Sequence, residues 1–82
     1  MITLRLFAHL RELAGTGRVE VEAGDVDAVI EEACRRFGAE FERGVRSAAV
    51  WVDGEPLEEL GPHRLKAGAE VALIPPVSGG ST

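Results

Sequence analysis

The sequence predicts a small α+β domain, a sheet of about five short strands with one main helix across one face. Three observations carry that expectation. Apolar residues recur with a period of two in several short segments, one stretch keeps helical spacing between a cap residue and a glycine stop, and turn residues punctuate the junctions. At 82 residues the chain is expected as a single domain, 1–82, with a thin core. Hydrophobic residues at 45% and charged residues at 28% give a balance that folds rather than stays disordered.

Ile2, Leu4 and Leu6 alternate with Thr3, Arg5 and Phe7, so the first strand has one apolar face and turns Phe7 to the other. His9 to Ala14 is expected as an irregular or single-turn connection. After the Gly15-Thr16-Gly17 turn, Val19 and Val21 alternate with Arg18, Glu20 and Glu22 and complete an N-terminal hairpin. Asp25 suits a helix N-cap, and Val26, Val29, Ile30, Ala33 and Phe37 line one face while Glu31, Glu32, Arg35 and Arg36 take the wet one. Gly38 stops that helix.

Glu42 to Arg46 is expected as a polar link, Ala48 to Val52 as a buried strand, and Asp53-Gly54 as a hairpin turn leading to Leu57. Pro62 breaks the chain and Ala67-Gly68 turns it. Val71 to Ile74 forms a last strand that Pro75-Pro76 must end, because proline cannot donate to a sheet ladder. Residues 75–82 are left as a flexible C-terminal tail.

Nine Lys+Arg against fourteen Asp+Glu give a net charge of −5. That balance opposes nucleic acid and anionic membrane, which are held by clustered positive charge, and favours a basic partner surface. Lys66 is the only lysine, so the chain offers almost no side chain for an isopeptide bond to a second copy. The apolar runs Ala48 to Val52 and Val71 to Ile74 are far short of the about 20 residues that cross a bilayer, and the N-terminus lacks a signal-peptide layout. With a lone Cys34, these features lead us to expect a cytoplasmic location.

Catalytic motifs are missing. His9 and His63 lie far apart and outside any cluster with metal-ligand spacing, so no metal site is expected. Cys34 follows Ile30 by one helical turn and reads as a core-edge residue. Glu58-Glu59 reads as a solvated loop, and Trp51 as a packing residue rather than one that stacks on a ligand. No Ser/His/Asp arrangement, P-loop or dinucleotide fingerprint is present.

The C-terminus is different. Gly79-Gly80 beyond a diproline has no fold to stabilise; it is either a frayed end or a segment shaped for access. Glycines lack Cβ and can thread a narrow channel where bulkier residues would clash. Pro75 to Gly80, if extended, reaches roughly 20 Å, enough to carry a carboxyl into another protein's active site. The diproline stiffens the base of this arm.

Phe7-Ala8-His9-Leu10-Arg11-Glu12-Leu13 with Gly15 resembles the first-strand signature of the MoaD/ThiS sulfur-carrier family, in particular of its MoaD branch, the small subunits of molybdopterin synthase. Gly68 to Gly80, ending Ile74-Pro75-Pro76-Val77-Ser78-Gly79-Gly80, is similar to that family's C-terminal signature. The two motifs stand in order at the two ends of the chain. Two departures stand out: Asp53-Gly54 replaces an Asn-containing turn, and Ser81-Thr82 follows the glycine pair at which the usual carrier ends.

The resemblance implies a β-grasp, ubiquitin-like fold with a mixed sheet, and a non-catalytic sulfur-donating subunit of a molybdopterin synthase-type complex. A ubiquitin-activating-type adenylyltransferase, using ATP and Mg, would adenylate the Gly80 carboxylate after a processing protease removes Ser81 and Thr82. A sulfur donor protein would then leave a thiocarboxylate, and the synthase large subunit would take its sulfur for the pterin precursor of the molybdenum cofactor. The chain itself is expected to bind no cofactor. Phe7, Leu57 and Ile74 are candidates for the partner interface, with ordinary packing under a loop as the alternative. A carrier for thiamine, cysteine or tRNA thiolation, a ubiquitin-like protein modifier, and a binding module that merely keeps the fold stay open.

Overall fold

In a computed structural model, described here for residues 1–57 and 63–76, the first strand β1 (Ile2–Leu6) and the last, β5 (Glu70–Ile74), lie side by side and parallel. Between them in sequence come α1 (Ala8–Ala14), β2 (Arg18–Val21), α2 (Val26–Phe37), α3 (Ala39–Arg46), β3 (Ala49–Val52) and β4 (Glu55–Pro56). The sheet order is β2-β1-β5-β3-β4, with β5 parallel to β1 and antiparallel to β3. This is the mixed β-grasp sheet, and α2 is its main helix.

Alternation decides which face of the sheet is covered. Ile2, Leu4 and Leu6 of β1, Val21 of β2, and Val71 and Leu73 of β5 are all buried, and the helices close over them with Leu10, Val29, Ala33 and Phe41. Each of these side chains except that of Ala33 contributes about 1.5–3 kcal/mol by leaving water. Asp25 caps α2 as its residue type predicts, its carboxylate accepting from the Ala28 N–H at 2.8 Å. The Asp53-Gly54 turn has φ of 50° and 84°, the left-handed pair that a two-residue hairpin requires.

Two expectations are corrected. His9 to Ala14 is part of a helix, not an irregular connection, and Glu42 to Arg46 is the second half of another, not a polar link. Helix α1 has no side-chain cap and only Leu10 fully buried; it ends at Gly15, whose N–H donates to the carbonyls of Arg11 and Glu12 from φ 77°. Helix α3 buries Phe41, whose ring lies 5.1 Å from that of Phe37 across the Gly38 junction. Each is too short to hold alone and is stabilised by packing against the other and the sheet. The strand over Ala49–Val52 is also only half-covered rather than buried.

Pro62, Glu58-Glu59 and the tail from Val77 to Thr82, Gly79 and Gly80 included, lie outside the described residues. The buried alternation of β5 continues to Pro75, and Pro76 is exposed.

Candidate functional site

The face of the sheet opposite the helices is the surface on which the chain approaches its tail. Because Leu4, Leu6, Val71 and Leu73 point to the core, their neighbours Thr3, Arg5, Ala72 and Ile74 must point away. The register sets Trp51 beside Ala72 and Ala49 beside Ile74, so both share that outer face, and Pro56 pairs with Trp51 from β4. The result is an apolar strip of Ala49, Trp51, Ala72 and Ile74 running to the end of β5.

Phe7 continues the alternation one residue beyond β1. Its backbone is extended, with φ −133° and ψ 159°, although it is the N-cap of α1, and its side chain is 39% exposed. Since Leu6 is registered with Leu73, Phe7 and Ile74 come next to each other at the exit of β5. The Arg5 guanidinium carbon stands 5.9 Å from the Phe7 ring centroid, holding the ring by cation–π attraction. Ala8 then adopts φ 53°, a left-handed conformation unusual for a residue with a Cβ, which starts the helix immediately after the exposed ring.

Of the three interface residues expected from sequence, the structure brings Phe7 and Ile74 together. Leu57 does not join them: its N–H donates to the Val50 carbonyl at 2.8 Å, which sets it opposite Val50 on the helix side of the sheet, half-buried. Trp51, read from sequence as a packing residue, is half-buried on the outer face beside Ala72. The missing signal was parity, because Ala48 to Val52 is apolar at nearly every position and shows no alternation to read.

The rim of this face is charged. Arg5 pairs with Glu70 at 3.2 Å, Arg18 with Glu20 at 3.5 Å, and the Thr3 hydroxyl donates to Glu20 at 3.2 Å. Elsewhere, Cys34 lies partly buried against the core between α2 and α3, and burial, reinforced by Glu42, pushes its thiol above the ordinary range against a smaller opposing pull from Arg46. His9 and His63 are exposed. Among the described residues no three His, Cys, Asp or Glu side chains gather as metal ligands, and no helix is long and apolar enough to cross a membrane. What these residues can do is bind: an aromatic and aliphatic strip, bordered by ion pairs, ends where the chain leaves the sheet.

Comparison with known proteins gives consistent matches. A family model described as the ThiS family matches residues 4–80. The molybdopterin synthase sulfur carrier subunit of Escherichia coli (strain K12) is 38% identical over 86 residues, covering 98% of this chain and 100% of that protein. Among solved structures, SAMP1 from Haloferax volcanii superposes with a TM-score of 0.76 at 32% identity, covering 96% of this chain and 98% of that one. The small archaeal modifier protein 1 from Methanosarcina acetivorans superposes with a TM-score of 0.84 at 25% identity, over 96% and 95% of the two chains.

Proposed function

Since the chain belongs to the ThiS family of MoaD-like sulfur carriers, whose members are substrates of adenylation rather than catalysts, we propose that it is the sulfur carrier of a molybdopterin synthase-type complex. The observation that carries this reading is the path of β5. It is the middle strand of the sheet, it ends at Ile74 with Phe7 and Trp51 beside it, and in sequence Pro75-Pro76 and then Gly79-Gly80 follow. A partner that covers the strip thereby receives the tail at a fixed place, and the fold serves as the handle by which the reactive end is presented. Residues 1–82 act as one such unit, working in the cytoplasm.

The chemistry follows from the weakness of a carboxylate as an electrophile. In the activating enzyme, with ATP and Mg bound there, an oxygen of the Gly80 carboxylate attacks the α-phosphorus, pyrophosphate leaves, and an acyl adenylate forms. The terminal sulfur of a persulfide on a donor protein then attacks the acyl carbon and AMP departs; a thiol reduces the resulting acyl disulfide, forming a disulfide with the donor's sulfur and leaving a thiocarboxylate on Gly80. Docked on the synthase large subunit, the thiocarboxylate sulfur bonds to the pterin precursor, water hydrolyses the resulting thioester, and the carrier returns as a carboxylate. Gly80 becomes the terminal carboxylate only once Ser81 and Thr82 are removed, because a peptide carbonyl has no free oxygen to adenylate. A processing protease is therefore part of the scheme.

A second reading is favoured by one observation. SAMP1 from Haloferax volcanii, 32% identical to this chain, is a small archaeal modifier protein, so the activated Gly80 could instead be passed to lysines of other proteins. One experiment separates the two. The chain ending at Gly80 is incubated with the host's activating enzyme, ATP and a sulfur source, and intact mass is read. One oxygen replaced by sulfur is expected, and the full chain ending at Thr82 stays unmodified; absence of any adduct on the Gly80 form overturns the carrier reading, and conjugates on target lysines without thiocarboxylate favour the modifier.

A further inference from the structure

We propose that the cleft lined by Arg5, Phe7, Arg11, Thr16, Gly17 and Arg18 receives an acidic segment of the protein partner that takes the tail, an inference that rests on the docking role of the sheet face. The cleft, about 350 Å³, opens between the end of β1, α1 and the start of β2. Leu6 links it to the tail exit, donating its N–H to the Gly17 carbonyl at 2.9 Å while lying in register with Leu73 of β5. Phe7 belongs to both the cleft and the apolar strip, so the two surfaces are continuous.

Three guanidinium groups from three elements converge there. Arg5 and Arg18 are directly opposite each other in the β1–β2 register and on the same face, a like-charge pairing that costs stability unless anions offset it. Each has one carboxylate on the side away from the cleft, Glu70 for Arg5 and Glu20 for Arg18, and both side chains stay well exposed at 45% and 68%. A guanidinium has five N–H donors, so one such ion pair leaves several free. Arg11 has no ion pair or side-chain hydrogen bond among the described residues; it runs along Gly17, where a Cβ would stand 3.4 Å from its Cδ and Nε.

The other arginines differ in this respect. On the helices, Arg35 and Arg36 pair with Glu32, Arg43 with Glu40 and Arg46 with Glu42, each within its own helix. Arg64 and Lys66 precede the Ala67-Gly68 turn, at the Met1 end of the sheet, where the Gly68 N–H reaches the Met1 carbonyl. The chain carries a net −5, yet among the described residues three arginines with donors to spare line one cleft near the end of β5. Net charge alone pointed to a basic partner surface; the local geometry reverses that for this contact.

The occupant is a protein segment rather than a free small anion because the donors are spread along an open cleft that Phe7 also lines. A partner seated on Phe7 and Ile74 lays its own chain across this rim, and Asp or Glu carboxylates there meet guanidinium forks in the geometry they favour. Such rim charges act through encounter rate and salt dependence more than through buried contact.

The test uses the full chain and the host's activating enzyme, a partner common to every sulfur-carrier pathway, with affinity measured over a range of salt. Arg11→Glu and Arg18→Glu are each expected to weaken binding about tenfold and to flatten the salt dependence, while Arg11→Lys retains most of the affinity and Arg43→Glu on α3 changes nothing. Thermal melts within a few degrees of the parent, and Arg11→Ala as the milder variant, separate lost contact from lost fold. Unchanged affinity and salt slope in the two glutamate variants, with Phe7→Ala still weakened, overturns the acidic segment and leaves the docking face standing. If Phe7→Ala and Ile74→Ala also bind normally, the docking face itself falls. Saturable shifts of the Arg11 and Gly17 amides with inorganic phosphate would overturn the proposal in favour of a small-anion site.

Discussion

Phe7 and Trp51 sit on the same outer face but are held differently. Phe7 is tethered by a cation–π contact and projects from a helix N-cap, whereas Trp51 is flanked by Ala72 on one strand and Pro56 on another. Phe7→Ala should therefore lower thermal stability by no more than about 1 kcal/mol, yet weaken binding to the large subunit by about tenfold or more, since an exposed anchor contributes chiefly when a partner covers it. Trp51→Ala should cost more in stability, because its neighbours lose packing even without a partner. Melts and titrations on the two variants check this; a large stability loss for Phe7→Ala with unchanged affinity would sink it. Cys34 offers a different check. With its thiol pushed up by burial, iodoacetamide should alkylate it more slowly in the folded chain than in the unfolded one at mildly alkaline pH. The raised folded pKa also fixes the sign of its linkage: its contribution to stability is complete below the unfolded thiol's pKa and is lost as pH rises through the folded value. A rate equal to that of the unfolded chain would refute the inert thiol.

Where α1 meets α3, one position is set by lack of a side chain. A Cβ on Gly44 would stand 2.7 Å from His9 Nε2 and 2.8 Å from Leu10 Cδ2. His9 is exposed and can swing aside; Leu10 is fully buried and cannot. Gly44→Ala improves helix propensity by about 1 kcal/mol but overpacks the junction by about 1–3 kcal/mol, so a net loss is expected, about 1 kcal/mol or roughly 4–8 °C in melting temperature. A higher melting temperature would show that the junction has room. The same junction explains what the sequence could reveal. Helix α2 was legible because Asp25, the Val29–Ala33–Phe37 spacing and Gly38 each state a helix locally. Helices α1 and α3 were not, because Leu10 and Phe41 are their only fully buried side chains and their partners are each other. At the site, alternation places Phe7 on the outer face, as the structure has it, whereas Ile74 is named through the family resemblance. Alternation gives no face for Trp51 or Leu57, whose sides of the sheet depend on strand register. The glycine pair is legible only as sequence, since it follows the last described residue.

Across the molecule, the first and last strands meet in the middle of the sheet. Leu4 is registered with Val71 and Leu6 with Leu73, joining residues far apart in sequence, and all four are buried. Hydrogen exchange should therefore be slowest at the amides of β1 and β5 and fast in the two-residue strand β4 at the sheet edge, because only global unfolding opens the central pair. Exchange in β5 as fast as in β4 would contradict a single cooperative core. The central place of β5 also has a mechanical meaning. A partner that grips the tail and pulls draws β5 along its own axis, between β1 on one side and β3 on the other. Both ladders are then loaded in shear, with their hydrogen bonds resisting together instead of opening one at a time like a zip. The domain is built to be towed by its end without coming apart.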